Sequence, residues 1–265
     1  TNAKVEESMV RHMVLNSIRS YRTKYGNTYG ELVIACDNKN YWRRELFPYY
    51  KANRKKNIEK SEFDWKSIFE CLGKIRQELK DFFPYRIIEI ETAEADDIIG
   101  TLVPRHIAHE NILILSSDGD FLQLQRYNTG KFKVKQYNPA QKKFIKCDKP
   151  IDDLKEKIIR GDKGDGIPNI LTQDNVFIDG GRQKPITEAK IINWLNQKPE
   201  EFCTDEMLRN YKRNELLIDL TKVPEPLQAA IIDRYENATA QSKQAFMNYM
   251  ITNKLKNLLE VIDEF

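Results

Sequence analysis

The sequence predicts an α/β fold, with a mostly parallel central sheet flanked by helices and a helical C-terminal region. Three observations predict it. Short apolar runs alternate with helix-periodic segments through the first half of the chain. Acidic residues stand shortly after those runs, at 37, 94–97 and 118–120. Beyond residue 150 the helical spacing is nearly continuous.

In chain order, residues 5–22 place Met9, Met13, Val14 and Ile18 at helical spacing. Residues 31–36 read as a buried strand running into Asp37. Residues 63–83 are helical, with Trp65, Ile68, Phe69, Leu72, Ile75 and Leu79 on one side and Pro84 as the stop. A second strand spans 86–90, and the helix that starts at Glu94 is expected to kink or end at Pro104. Residues 111–115 form a third strand that enters Ser116-Ser117-Asp118-Gly119-Asp120. Segments 132–137 and 143–147 pair around Asn138-Pro139. Helices then cover 151–160, 187–196, 205–218, 226–235 and 242–259, with 172–185 as a loop. The organisation is an α/β domain over 1–150 and a helical region over 151–265.

Composition narrows the function classes. Hydrophobic residues make up 40% and charged residues 31%, which excludes a disordered chain. No apolar run approaches the roughly 20 residues of a membrane helix. Cys36, Cys71, Cys147 and Cys203 are scattered without a CxxC pair, as in a reduced cytoplasmic protein rather than a disulfide scaffold. The sequence begins at Thr1 without an initiator methionine, as a processed chain or a fragment does. The net charge is only +3, but it is unevenly spread. Between 39 and 56 stand Lys39, Arg43, Arg44, Lys51, Arg54, Lys55 and Lys56 against one acid, Glu45, interleaved with Tyr41, Trp42, Phe47, Tyr49 and Tyr50. Such a mixture suits a phosphate backbone with unpaired bases, and equally a solvated helix or loop.

The acids carry the chemistry. If the strands are parallel, Asp37, Glu94, Asp96, Asp97, Asp118 and Asp120 converge on one sheet edge, where open α/β sheets bind ligands. Hard divalent cations take such oxygen donors, and two of them together clamp the attacking and leaving oxygens of a phosphodiester. Gly119 is expected to relax the backbone between its two aspartates. Asp162 and Asp165, in Gly161-Asp-Lys-Gly-Asp-Gly166, can face the same site. The plainer readings are helix N-terminal acids for 94–97 and a turn for 118–120. All occurring together behind apolar strands favours the shared site.

These segments resemble the flap endonuclease and 5′-3′ exonuclease superfamily, in particular its T-even bacteriophage ribonuclease H branch. The matching stretches are Cys36-Asp-Asn38, Tyr41-Trp-Arg-Arg44, Tyr49-Tyr-Lys-Ala-Asn-Arg54, Glu94-Ala-Asp-Asp-Ile-Ile99, Ser116-Ser-Asp-Gly-Asp-Phe121, Gly161-Asp-Lys-Gly-Asp165 and Val261-Ile-Asp-Glu-Phe265. They follow family order along nearly the whole chain. The resemblance implies a PIN-like 5′-nuclease fold with a nuclease domain over 1–150 and a helical DNA-binding region over 151–265 that completes the metal site. It implies one magnesium ion at Asp37, Glu94, Asp96 and Asp97, and a second at Asp118, Asp120, Asp162 and Asp165. Manganese would substitute, and a potassium ion would sit at a helix-turn-helix element beginning at 165–169. Asp37, Lys51, Arg54 and Asp118 would act in catalysis, with Lys51 and Arg54 directed at the scissile phosphate. Arg43, Arg44, Lys51, Arg54, Lys55 and Lys56 would contact nucleic acid within a mobile arch of about residues 39–62.

The family pattern also has an aspartate on a strand upstream of the first helix, which this sequence does not contain, and a glycine-rich hairpin after Pro168, which is replaced by a longer segment. The implied activity is hydrolysis of 5′-terminal RNA or DNA at duplex ends, nicks and flaps during replication. The implied setting is a monomer in the cytoplasm of an infected cell, with single-strand-binding protein and sliding clamp as partners. The alternative is a catalytically impaired or non-catalytic DNA-structure-binding protein. A phosphatase using Asp118 leaves the basic segment unexplained.

Overall fold

The computed structural model describes residues 6–59 and 61–265, and the side chains of residues 55–57 lie outside that description. In chain order the elements are α1 (Glu7–Tyr29), β1 (Val33–Ala35), α2 (Trp42–Leu46), α3 (Asn53–Glu59), α4 (Trp65–Phe82), β2 (Arg86–Ile88), α5 (Ala95–His106) and β3 (Ile112–Leu115). A 3₁₀ helix (Gly119–Tyr127), β4 (Val134–Asn138), β5 (Lys143–Ile145) and α6 (Pro150–Arg160) follow. The rest is α7 (Glu188–Leu195), α8 (Pro199–Phe202), α9 (Asp205–Ile218), α10 (Glu225–Asn237), α11 (Lys243–Thr252) and α12 (Lys256–Leu259), with short 3₁₀ turns at Leu220–Lys222 and Ile262–Glu264. The chain forms two compact units: Thr1–Cys36, Lys60–Glu89 and Asp233–Phe265 make the first, and Asp37–Glu59 with Ile90–Ile232 the second.

In the first unit β1 and β2 pair in parallel, with Ile34 opposite Ile87. Asp64 caps α4, its Oδ1 accepting from the Ser67 N–H at 3.1 Å. The buried stripe of α4 is Cys71, Ile75 and Leu79, whereas Phe69 and Leu72 are exposed, so its inward face is narrower than the apolar spacing suggests. Leu15, Phe83, Phe246 and Met250 share this unit's core. The helix expected over 242–259 breaks between α11 and α12, where Lys254 takes φ 54°, a left-handed value that ends an α-helix.

The second unit holds a three-stranded sheet in which β3 and β4 are parallel and β4 and β5 antiparallel. The α/β class and the strand directions are those the sequence predicts, although the strands divide between two small sheets. Pro104 does not end α5, which runs on to His106. The proline removes the N–H that would donate to Gly100 O, but Ile107 N still bonds Val103 O at 3.0 Å and both of those side chains are buried, so the last turn is kept. α6 and α9 pack through Leu154, Ile158, Tyr211, Leu217 and Ile218. Asn210 and Asn214 of α9 are fully buried and donate to Ile170 O (3.0 Å), Ile158 O (2.8 Å) and Pro168 O (2.8 Å), which pins the segment after α6.

Candidate metal and nucleic-acid site

Every acidic and basic residue singled out in the sequence belongs to the second unit. The site starts at the turn before α5. Asn38 N bonds Ala93 O and Trp42 N bonds Thr92 O, both at 3.0 Å, so the segment after Asp37 is laid against this turn. The Asp37 carboxylate accepts from Ala95 N at 2.7 Å. Asp97 accepts from Glu94 N at 2.8 Å and from the Trp42 indole at 3.1 Å. An acid at this position also satisfies an otherwise orphan N–H of the helix start.

Arg43 is the electrostatic centre of this corner. Its guanidinium lies 2.8 Å from both Glu94 Oε2 and Asp97 Oδ1, and its Nε donates to Leu217 O at 2.8 Å. It is 1% exposed. The expectation that Arg43 contacts nucleic acid is therefore corrected: the side chain is spent neutralising two buried carboxylates, which without it would face a large desolvation penalty. Asp97 is raised all the same, by burial first, with Arg43 pulling the other way.

The loop carrying Asp162 and Asp165 is closed by paired backbone bonds between Asp162 and Ile167, at 2.8 and 2.7 Å. Gly166 has φ +72°, and a Cβ there would meet Tyr49 O at 2.9 Å and Asn53 Oδ1 at 3.2 Å. Glycine is what lets the loop approach the basic segment this closely. Lys51 N bonds Asp165 O at 2.7 Å, and Lys51 itself is held at φ 56°, a costly value for a non-glycine residue. Its ammonium pairs with Glu94 and lies 3.7 Å from Asp165 Oδ2. Burial alone would lower the Lys51 pKa, but the neighbouring Asp165 and Glu94 charges raise it, so it stays cationic. The Tyr50 hydroxyl lies 3.0 Å from Glu94 and 3.2 Å from Asp165. Arg54, half-exposed, pairs with Asp165 as well.

On the other side, β3 delivers Asp118 and Asp120. Asp118 Oδ1 accepts from Asp120 N at 2.9 Å, and buried Gln136 holds Ser116 O (3.0 Å) and Asp118 O (2.6 Å). Gly119 is not required by its backbone: its φ is ordinary and a Cβ there would meet nothing within 4 Å. The expectation of a glycine-relaxed turn is corrected accordingly. Lys157 of α6 pairs with both Asp120 and Asp162. Burial works to raise the Asp162 carboxyl, but Lys157 and the Asp165 and Gly164 N–H groups hold it below its ordinary value.

Seven of the eight carboxylates, all but Asp96, are thus held by cations or N–H groups rather than gathered in one bare cluster. Among the described residues no three His, Cys, Asp or Glu side chains stand together closely enough to hold an ion. The donor chemistry nevertheless fits a hard divalent cation, being carboxylate oxygen throughout. Asp96 points the same way. Its carboxyl is pushed up to about 7, by burial first and then by the Asp118 and Glu94 charges, against Lys51. A cation beside it would reverse that balance. Within 165–169, where a potassium ion is implied, Pro168 O already accepts from Arg213 (3.0 Å) and Asn214 (2.8 Å). Helix α7 begins only at Glu188, after the longer loop the sequence indicates.

Arg44 is exposed and stacks on Tyr41 at 4.7 Å. Lys55 and Lys56 lie on α3, with side chains outside the described residues. The sequence reading missed Trp42, Tyr50 and Lys157 as partners of the acids. For Lys157 the available signal was its place on the helix that leads directly to Asp162.

Residues 1–152 match the family described as 5′-3′ exonuclease, N-terminal resolvase-like domain, and residues 149–265 match T4 RNase H, C terminal. The chain is 34% identical to the ribonuclease H of Enterobacteria phage T4 over 99% of its own length and 88% of that protein. Its fold is like that of the T5 D15 protein co-crystallized with metal ions, with TM-score 0.58, 20% identity, and coverage of 85% of this chain and 90% of that one. It is also like the bacteriophage T5 D15 flap endonuclease in a pseudo-enzyme-product complex with DNA and metal ions, at 19% identity, TM-score 0.58, and coverage of 86% and 91%.

Proposed function

The chain belongs to the 5′-3′ exonuclease family, with a C-terminal region of the T4 RNase H type, and on that basis we propose that it is a magnesium-dependent, structure-specific 5′-nuclease that removes RNA primers and adjacent DNA. The observation that carries this reading is that Lys51, Arg54 and Lys157 pair with Glu94, Asp120, Asp162 and Asp165, four of the eight acids, within one compact unit.

On this reading Asp37, Glu94, Asp96 and Asp97 hold one magnesium ion, and Asp118, Asp120, Asp162 and Asp165 the second. Bound there, the ions supply positive charge to the reacting phosphodiester. The chain's own part is to orient and to balance charge. Arg43 and Trp42 fix Glu94 and Asp97. Tyr50 and Lys51 tie Glu94 to Asp165, so that acids from two distant segments move as one. Lys51 and Arg54 carry fixed cationic charge that a phosphate in the site would meet, stabilising the charge that builds as the P–O bond breaks. Arg44, exposed on its aromatic neighbour Tyr41, serves the phosphate backbone. The substrates are DNA and RNA–DNA duplexes with 5′ ends or flaps, gripped by the helical region over 151–265. Among the described residues no helix is long and apolar enough to cross a membrane.

A non-catalytic DNA-structure-binding role is the second reading. The observation favouring it is that chain cations already neutralise Glu94, Asp97, Asp120, Asp162 and Asp165. Paired substrates, one with a 5′-RNA and one with a 5′-DNA end, incubated with magnesium, with manganese and with chelator, decide between the two. Ion-dependent release of 5′ nucleotides from the RNA-ended duplex supports the nuclease. Tight duplex binding with no release under any ion supports the second reading.

A further inference from the structure

Lys157 is the feature of this corner that the reaction as described leaves without a task. It lies on α6, five residues before Asp162, with its side chain 29% exposed. The ammonium pairs with Asp120, which arrives from the 3₁₀ helix after β3, and with Asp162 Oδ2 at 2.8 Å, which arrives from the loop after α6. Two carboxylates from separate segments are therefore bridged by one cation. Both are mostly buried, 14% and 24% exposed, so leaving them unbridged would be unfavourable. Lysine is suited to a reversible bridge: its charge is a point on a flexible four-carbon stem, without the fixed fork of arginine. The side chain is already partly exposed, so the amine has solvent within reach.

We propose that Lys157 is a built-in counter-ion: in the ion-free protein its amine takes the place between Asp120 and Asp162 that a divalent cation takes on loading, and the arriving ion displaces it. Lys157 then has two effects. It keeps the two acidic segments together before the ion arrives, and it weakens ion binding by competing for the same oxygens. The inference rests on the proposed assignment of Asp120 and Asp162 to ion binding.

The test is manganese binding, followed by calorimetry and by the spin-resonance signal of the ion, in the wild type, Lys157→Met and Lys157→Arg. Removing the competing charge is expected to tighten binding by about five- to tenfold, the scale of one lost ionic competitor. The ion-free Lys157→Met protein should melt at a lower temperature and recover when manganese is added. Lys157→Arg should stay within about threefold of wild type, because it retains the bridge charge. Equal or weaker binding by Lys157→Met overturns the proposal.

A second measurement needs no variant. The rate at which Lys157 is acylated in the wild type, read by mass spectrometry, should rise several-fold when manganese is added. An unchanged or slower rate also overturns the proposal, even if Lys157→Met fails to fold. Binding of manganese with unaltered affinity in the variant sinks this inference alone. Absence of manganese binding by wild type and variants alike removes the proposed metal site itself, and this inference with it.

Discussion

Arg43 and Glu94 form a 2.8 Å ion pair with side chains 2% and 1% exposed, and the same guanidinium holds Asp97 at 2.8 Å. A cation lying within a basic, aromatic-rich stretch of sequence is thus turned inward, where it sets the geometry of the acids that open α5. Replacing it by Met leaves two buried carboxylates short of their counter-charge, a change that costs about 3–5 kcal/mol when a buried pair is broken. Urea unfolding of Arg43→Met should show a loss on that scale. Arg44→Ala, at an exposed neighbour, should stay within about 0.5 kcal/mol of wild type.

Gly166 and Gly119 make opposite predictions. Gly166 sits at φ +72° and a Cβ would press on Tyr49 O, so Gly166→Ala should destabilise the protein by about 1–3 kcal/mol. It should also weaken the effect of Lys51, which is bonded to the same loop. Gly119→Ala has ordinary backbone and open space, and thermal melting should leave it within about 0.5 kcal/mol of wild type.

Asp96 gives a pH dependence. Its folded carboxyl is raised to about 7 from an ordinary value of 3.8, so the folded protein binds this proton more tightly than the unfolded chain. The resulting penalty is absent below the unfolded value, grows as pH rises toward the folded one, and is complete above it. In chelator, Asp96→Asn should therefore raise the melting temperature by a few degrees at pH 8, with little change at pH 3.5. Magnesium should raise the wild-type melting temperature at pH 8 as well. A variant that melts lower at pH 8 would contradict the environment described for Asp96.

Lys51→Ala and Arg54→Ala should differ in kind. Lys51 is tied to Glu94 and Asp165 inside the site, whereas Arg54 is half-exposed. Removing Lys51 should slow turnover by at least about a hundredfold, as loss of a transition-state charge contact does. Removing Arg54 should act on turnover more weakly and reduce the salt dependence of flap binding by about one unit of slope. Single-turnover kinetics and binding titrations at several salt concentrations measure both.

Much of this arrangement is legible before any coordinates. Apolar runs ending near Asp37 and Asp118 announce strands, and the Gly–Asp spacing at 161–166 announces a tight loop. Arg43 was not legible, because its partners Glu94 and Asp97 lie more than fifty residues away and its neighbours read as a surface. Lys157 was hidden for a related reason: on an amphipathic helix it looks like any solvated lysine until the fold brings Asp120 to it. Pro104 misled because the buried Val103 and Ile107 keep the last turn of the helix despite the one N–H bond that proline removes. Gly119 misled because flanking aspartates suggest a special turn that the backbone does not adopt.

The most direct test of the central claim is cleavage of a 5′-labelled flap duplex by wild type and Asp118→Asn, with magnesium and with chelator. The account predicts short 5′-labelled products from wild type with magnesium only, and an Asp118→Asn protein that still binds the flap but does not cut it. Undiminished cleavage in chelator, or undiminished cleavage by Asp118→Asn, would contradict it.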